Sequence, residues 1–94
     1  MILHRNTVNI NRNVVLKMVP VQCKMARAAL GLGVRELAEA AQVSPDTIAR
    51  LERGEELKPR TIAAVQSALE AAGVEFIPEN GGGPGVRLRR DVKK

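Results

Sequence analysis

The stretch "AAQVSPDTIARLERG", residues 40–54, decides the fold of this 94-residue chain. It begins inside an amphipathic segment, "VRELAEAA" (34–41), and continues into "PDTIARLERG", whose proline suits a first helical position. Gln42 and Val43 lie between these segments, and Ser44 is a typical helix N-cap because its hydroxyl can accept a first-turn backbone N–H. The sequence therefore predicts two short helices joined by a tight turn.

A further helix is predicted on either side of this pair. "PVQCKMARAALGLG" (20–33) starts at a proline and ends at glycines, and it places Arg27 on the same face as two apolar residues. Residues 61–72 repeat apolar side chains at three- and four-residue spacing and stop at Gly73. An arginine on a largely inward face needs a partner, so we expect an acidic residue opposite Arg27.

The ends of the chain have a different pattern of apolar and polar residues from its helical middle, residues 18–73. "VEFIP" and "GVRLRR" alternate apolar and polar residues around a glycine-rich connection, which predicts a β-hairpin within residues 74–90. Residues 91–94 form a basic tail. Residues 1–17 also alternate in "TVNINRNVVL", and two interpretations remain open for them, a strand or a poorly ordered extension.

The net charge of +5 suggests attraction to nucleic acid, but the excess lies in the two ends. Residues 18–80 contain seven basic and nine acidic side chains. The chain has one cysteine and one histidine, so it offers no internal disulfide and no metal site. No apolar run approaches the roughly 18 residues of a membrane span. We expect a soluble cytoplasmic protein without a membrane segment, cofactor or metal.

The segment "LGLGVRELAEAAQVSPDTIARLERG" resembles the lambda-repressor-like, or Xre, family of helix-turn-helix regulators of bacteria and phages. The family pattern is approximately LGxSQxELAxxxGVSxxTIxxxExG, and the resemblance covers residues 20 to about 72. It implies a mainly α fold, with a helix-turn-helix core of four to five helices and here a C-terminal β-hairpin. The matching positions are Leu30, Gly31, Glu36, Leu37, Ala38, Val43, Ser44, Thr47, Ile48, Glu52 and Gly54.

Three positions depart from the family pattern. Gly33 replaces the usual Ser or Thr cap of the second helix, and Val34 replaces a glutamine that reaches a phosphate in relatives. Gln42 replaces the turn glycine, so a left-handed backbone there would store roughly 1 to 2 kcal/mol of strain. Phosphate anchoring by the second helix is expected to pass to the neighbouring Arg35.

The resemblance assigns base-reading roles to Pro45, Asp46 and Arg50. Pro45 offers only apolar contact, for instance with a thymine methyl group, and Asp46 can accept from a cytosine amino group. Arg50 is the strongest reader because a guanidinium can bind guanine O6 and N7 together. An alternative remains open in which Asp46 and Arg50, one turn apart, pair with each other on the helix surface.

The resemblance also implies backbone contacts and a structural ion pair. DNA-phosphate contacts are expected from Arg35, Ser44, Thr47, Lys58 and Arg60. In relatives, an arginine of the first helix often pairs with a glutamate near the end of the third, which here predicts the pair Arg27 and Glu52.

The function implied is sequence-specific binding of double-stranded DNA, most simply by a dimeric repressor on an inverted-repeat operator. Relatives often dimerise through a fifth helix. Here the hairpin is expected to dimerise instead, while packing within one chain remains an alternative. The rival function is an antitoxin or other regulator whose hairpin binds a partner protein. No catalytic residues are predicted, so an enzyme is not expected. The expected dimer residues are Val74, Phe76, Ile77, Val86 and Leu88.

Overall fold

The computed structural model describes residues 18–90, so the predictions for residues 1–17 and 91–94 lie outside the described residues. The described part is mainly helical with a small C-terminal hairpin, which confirms the predicted fold class. None of its helices is long and apolar enough to cross a membrane. In chain order, the elements are α1 (Pro20–Leu30), α2 (Val34–Ala41), α3 (Pro45–Glu52), α4 (Pro59–Ala71), β1 (Val74–Ile77) and β2 (Gly85–Leu88).

Three of the four described helices start at a proline, which fixes φ near its helical value and has no N–H of its own to satisfy. The start of α4 was predicted at residue 61, and this boundary was wrong by two residues. Lys58 is its N-cap with extended backbone angles, and Pro59 is its first residue. Pro59 and Arg60, which precede the predicted start, therefore belong to the helix.

The turn between α2 and α3 has the left-handed backbone that the family pattern assigns to a glycine. Gln42 has φ 60° and ψ 45°. Its own N–H donates to the carbonyl of Glu39, and the N–H of Val43 donates to the carbonyl of Ala38 at 2.9 Å. These are the two hydrogen bonds of a Schellman ending, which satisfy the last carbonyls of α2 at the expense of strain at Gln42.

All six elements contribute to one apolar core. The helix pair α2 and α3 packs together, α4 lies against α2, and the hairpin covers α1 and α4. With no tryptophan or tyrosine available, the interior is aliphatic apart from one phenylalanine. The buried apolar residues are Met18, Cys23, Ala26, Leu37, Ala38, Ala41, Ile48, Leu51, Val65, Leu69, Val74 and Phe76.

The hairpin is antiparallel, with Val74 opposite Leu88 and Phe76 opposite Val86. Val74 and Phe76 are only 1% and 4% exposed. Their side chains belong to the core of one chain, so the prediction that these two residues supply dimer surface is corrected. Alternation along β1 predicted which residues share a face, and that face meets the helices of the same chain.

A buried amide attaches the hairpin to α1. Gln22 is the one buried polar residue within 18–90, and its Nε2 donates to the carbonyls of Ile77 and Gly85 at 3.0 and 2.9 Å. Its Oε1 accepts the N–H of Val19 at 2.9 Å. Because both ends of the amide are satisfied, Gln22 can be buried without an unpaired polar atom.

Candidate nucleic-acid interface

One face of α3 is turned away from the core. Ile48 and Leu51 are buried, whereas on the opposite side three residues are exposed and Ala49 and Arg50 are half-buried. This outer face contains all three predicted base readers, together with two residues that the sequence interpretation did not select. Its members are Pro45, Asp46, Ala49, Arg50 and Arg53.

The start of α3 is capped as predicted. The Oγ of Ser44 accepts the N–H of Thr47 at 3.1 Å, and the two hydroxyl oxygens lie 2.9 Å apart. Asp46 in the first turn complements the positive end of the helix. Since one hydroxyl proton satisfies the Ser44–Thr47 pair, the other remains available to an external acceptor such as a phosphate oxygen.

The guanidinium of Arg50 is held mainly by Glu55, a residue beyond the end of α3. Its Nε donates to Glu55 Oε1 at 3.1 Å. The alternative partner, Asp46, lies one turn earlier, and its Oδ2 is 3.9 Å from Nη1, which is an ion pair without a hydrogen bond. The predicted alternative of an Asp46–Arg50 surface pair is therefore present only in this loose form.

Glu55 also binds Arg53, the last member of the outer face. Its Oε2 accepts from Arg53 Nη2 at 2.7 Å and from Arg53 Nε at 3.1 Å. The hydrogen bonds from Arg53 and then Arg50 lower the pKa of Glu55, so the bridge is charged at neutral pH. Sequence reasoning missed both residues, although the eight-residue spacing from Pro45 to Arg53 could have placed Arg53 on this face.

The predicted backbone-contact residues lie at helix starts. Arg35 is exposed in the first turn of α2, where Glu36 accepts the N–H of Gly33 at 2.6 Å. Lys58 and Arg60 are exposed at the start of α4. The free N–H groups of a helix start and adjacent basic side chains both favour an anion, so these positions suit phosphate oxygens.

Arg27 and Glu52 form the predicted ion pair. Arg27 Nε and Nη2 donate to the two carboxylate oxygens at 2.8 Å each, and Nη1 reaches the carbonyl of Leu32 at 3.2 Å. The hydrogen bond to Glu52 raises the pKa of Arg27. Burial tends to raise the pKa of Glu52, but hydrogen bonds from Arg27 and Cys23 outweigh it and leave that pKa lowered. Glu52 is therefore part of the scaffold beneath the outer face.

The Arg27–Glu52 pair also affects the pKa of Cys23, the only cysteine of the sequence. Burial, followed by a hydrogen bond to Glu52, raises the pKa of the Cys23 thiol to about 12. The thiol is thus protonated at neutral pH and acts as a hydrogen-bond donor inside the core. No group of three or more metal-ligating side chains occurs within residues 18–90.

The family model of helix-turn-helix domains matches residues 22–76, from the first turn of α1 to Phe76 in β1. The match covers more than half of the chain, and the chain belongs to this family. No curated protein shows significant similarity to the chain. Because the helix-turn-helix is a DNA-binding unit, membership of this family supports DNA as the partner.

Proposed function

We propose that the chain is a sequence-specific DNA-binding transcriptional regulator of the lambda-repressor-like, or Xre, type. The observation that carries this proposal is the outer face of α3, where Arg50 stands on a helix anchored from behind by Ile48 and Leu51. A helix fixed in this way can present the side chains of its outer face to base pairs while its inner face stays in the core.

Direct readout is assigned chiefly to Arg50. Its terminal guanidinium nitrogens can donate together to O6 and N7 of one guanine, which is worth about 1 to 3 kcal/mol of discrimination. Asp46, one turn earlier on the same face, can accept from a cytosine amino group, and Pro45 can contact a thymine methyl group. We therefore propose a site with few strongly read bases.

The residues proposed to contact the DNA backbone lie around the outer face of α3. Arg35 lies at the start of α2, Ser44 and Thr47 at the start of α3, and Lys58 and Arg60 at the start of α4. We assign all five to phosphate oxygens, which fix the register of α3 on the duplex without reading sequence. Removal of one basic contact should reduce the salt slope of binding by about one unit.

We further propose that two copies bind an inverted repeat through a dimer formed at the hairpin. Leu88 is 44% exposed, and Ile77 and Val86 are half-buried, so these three retain apolar surface outside the core. Each strand also has one edge without a strand partner within residues 18–90, and such edges favour pairing with a second chain. A dimer doubles the contacts that one short helix provides.

The dimer is tested by sedimentation equilibrium at micromolar concentration, with and without DNA. We expect a dimer that Leu88→Glu dissociates, whereas Val21→Glu, at an exposed apolar position of α1, leaves it intact. A monomer under all conditions contradicts the dimer proposal without affecting DNA reading by α3.

Repression would follow if such a dimer occupies a promoter. The proposed function is tested by selecting bound sequences from a random pool of DNA duplexes. We expect an enriched inverted repeat containing at least one fixed guanine per half. A protein that enriches no sequence contradicts the proposal.

A further inference from the structure

The carboxylate of Glu55 bridges the two arginines of the outer face of α3. One oxygen accepts from Arg50 and the other from Arg53, and these contacts lie at the protein surface, with the side chains of Arg50 and Glu55 41% and 45% exposed. Exposed pairs of this kind contribute little to folding. Since the bridge adds little to stability, we look for its role in the ligand that Arg50 and Arg53 bind.

The backbone fixes Glu55 in this position. Gly54 has φ 88°, a left-handed conformation, and reverses the chain after α3. The N–H of Gly54 donates to the carbonyl of Leu51, and the N–H of Glu55 donates to the carbonyl of Arg50, both at 3.0 Å. These two hydrogen bonds form a Schellman ending. Glu55 thus contacts Arg50 twice, once through this backbone hydrogen bond and once through the carboxylate that accepts from the guanidinium.

The carboxylate occupies only one edge of the Arg50 guanidinium. Glu55 takes the Nε hydrogen, while Nη1 and Nη2 make no hydrogen bond to any residue within 18–90. A guanidinium carries five N–H donors in a planar fork, and two of them suffice for guanine O6 and N7. Apart from the loose contact of Nη1 with Asp46 Oδ2 at 3.9 Å, the Nη1 and Nη2 edge of Arg50 is thus open, and it is the edge that a guanine requires.

We propose that Glu55 is a positioning residue for DNA readout, holding Arg50 by its Nε so that the Nη1 and Nη2 edge faces the bases. This inference rests on the proposed function, because it takes Arg50 as the base reader. A guanidinium that is already oriented loses less side-chain freedom on binding. The negative charge of Glu55 also disfavours phosphate contacts by Arg50 and Arg53, which weakens binding to unrelated DNA. Both effects raise selectivity.

The test compares Glu55→Ala with Glu56→Ala, which removes the same charge from the adjacent residue. Glu56 is exposed and makes no ion pair within the described part of the chain. Affinities are measured by fluorescence anisotropy for the duplex enriched by the unaltered protein and for a scrambled duplex of equal length. Glu55→Ala should lower the ratio of these affinities about three- to tenfold beyond Glu56→Ala. The loss should concentrate on one guanine of the enriched sequence.

Equal ratios and equal base preferences in the two variants overturn the positioning role. Thermal unfolding distinguishes this result from misfolding. Because Glu55→Ala keeps its backbone N–H, its melting temperature should equal that of Glu56→Ala. Glu55→Gln, which retains an acceptor for Arg50 Nε, should fall between the alanine variant and the unaltered protein. If the unaltered protein enriches no sequence, the proposed function itself is contradicted, which is a different outcome from matched behaviour of the two variants.

Discussion

Arg27 and Glu52 are joined by two parallel hydrogen bonds, Nε to Oε2 and Nη2 to Oε1, each 2.8 Å long. The pair ties α1 to the last turn of α3, the helix whose outer face includes Arg50. The side chain of Glu52 is only 8% exposed. Removal of its partner would leave a carboxylate largely out of water without a counter-charge, which is more damaging than loss of an exposed pair.

Arg27→Ala should therefore lower the free energy of unfolding by about 3 to 5 kcal/mol. Denaturant titration followed by circular dichroism measures this loss. The matched control is Arg87→Ala, which removes an exposed arginine paired with Glu75 at 3.0 Å and should change stability by about 1 kcal/mol or less. Similar losses in the two variants would show that the Arg27–Glu52 pair is not a structural element.

The lowered pKa of Glu52 predicts a specific acid dependence. Since the folded-state pKa lies below the ordinary value of 4.5, the charged form stabilises the fold above that pH and the contribution disappears as pH falls below it. The free energies of unfolding of the unaltered protein and of Glu52→Gln should differ most near neutral pH and converge on acidification. Exposed Glu55 and Glu75, whose pKa values are also lowered, are common to both proteins. A difference in the free energy of unfolding between the two proteins that stays constant with pH would contradict this account.

Gln42→Gly should stabilise the protein. Gln42 has φ 60°, and glycine adopts this conformation without the strain imposed by a side chain, which is worth about 1 kcal/mol. The opposite change, Gly54→Ala at φ 88°, should destabilise by about 1 kcal/mol, because open space around Gly54 leaves the backbone conformation as the main effect. Melting temperatures that move in the same direction for both variants would refute this explanation.

Gln22 should control how firmly the hairpin is attached. Gln22→Ala removes the donor shared by the carbonyls of Ile77 and Gly85, and unpaired buried groups cost about 1 to 3 kcal/mol. Amide hydrogen exchange should accelerate in β1 and β2 more than in α2 and α3. Unchanged protection of the strands would show that apolar packing alone holds the hairpin.

Local sequence signals predicted the presence of all four described helices and most of their ends, because proline, serine and glycine act on the residues next to them. Pro20 and Pro45 marked helix starts, and the position of Gln42 in the family pattern indicated its left-handed backbone. The start of α4 at Pro59 was missed because Lys58 offers no side-chain cap. Burial of Phe76 corresponds to the alternative of packing within one chain, which the sequence could not select because alternation along a strand does not reveal which surface the strand meets.

The site was predictable where the chemistry lies within one helix. Asp46 and Arg50 share the outer face of α3 through helical periodicity alone. Glu55 reaches the same face only because Gly54 reverses the chain, and Gln22 meets the hairpin across 55 or more residues of sequence. Contacts of this kind depend on tertiary structure, which residue spacing does not specify.

The central claim is that Arg50 reads a base from the outer face of α3. The most direct measurement is selection from a random duplex pool by Arg50→Ala, with Arg87→Ala as a control that removes the same charge from the hairpin. Arg50→Ala should lose the preference for guanine at one base pair per half-site, by about 1 to 3 kcal/mol, while Arg87→Ala keeps the full motif. Enrichment of an unchanged motif by Arg50→Ala would contradict the claim.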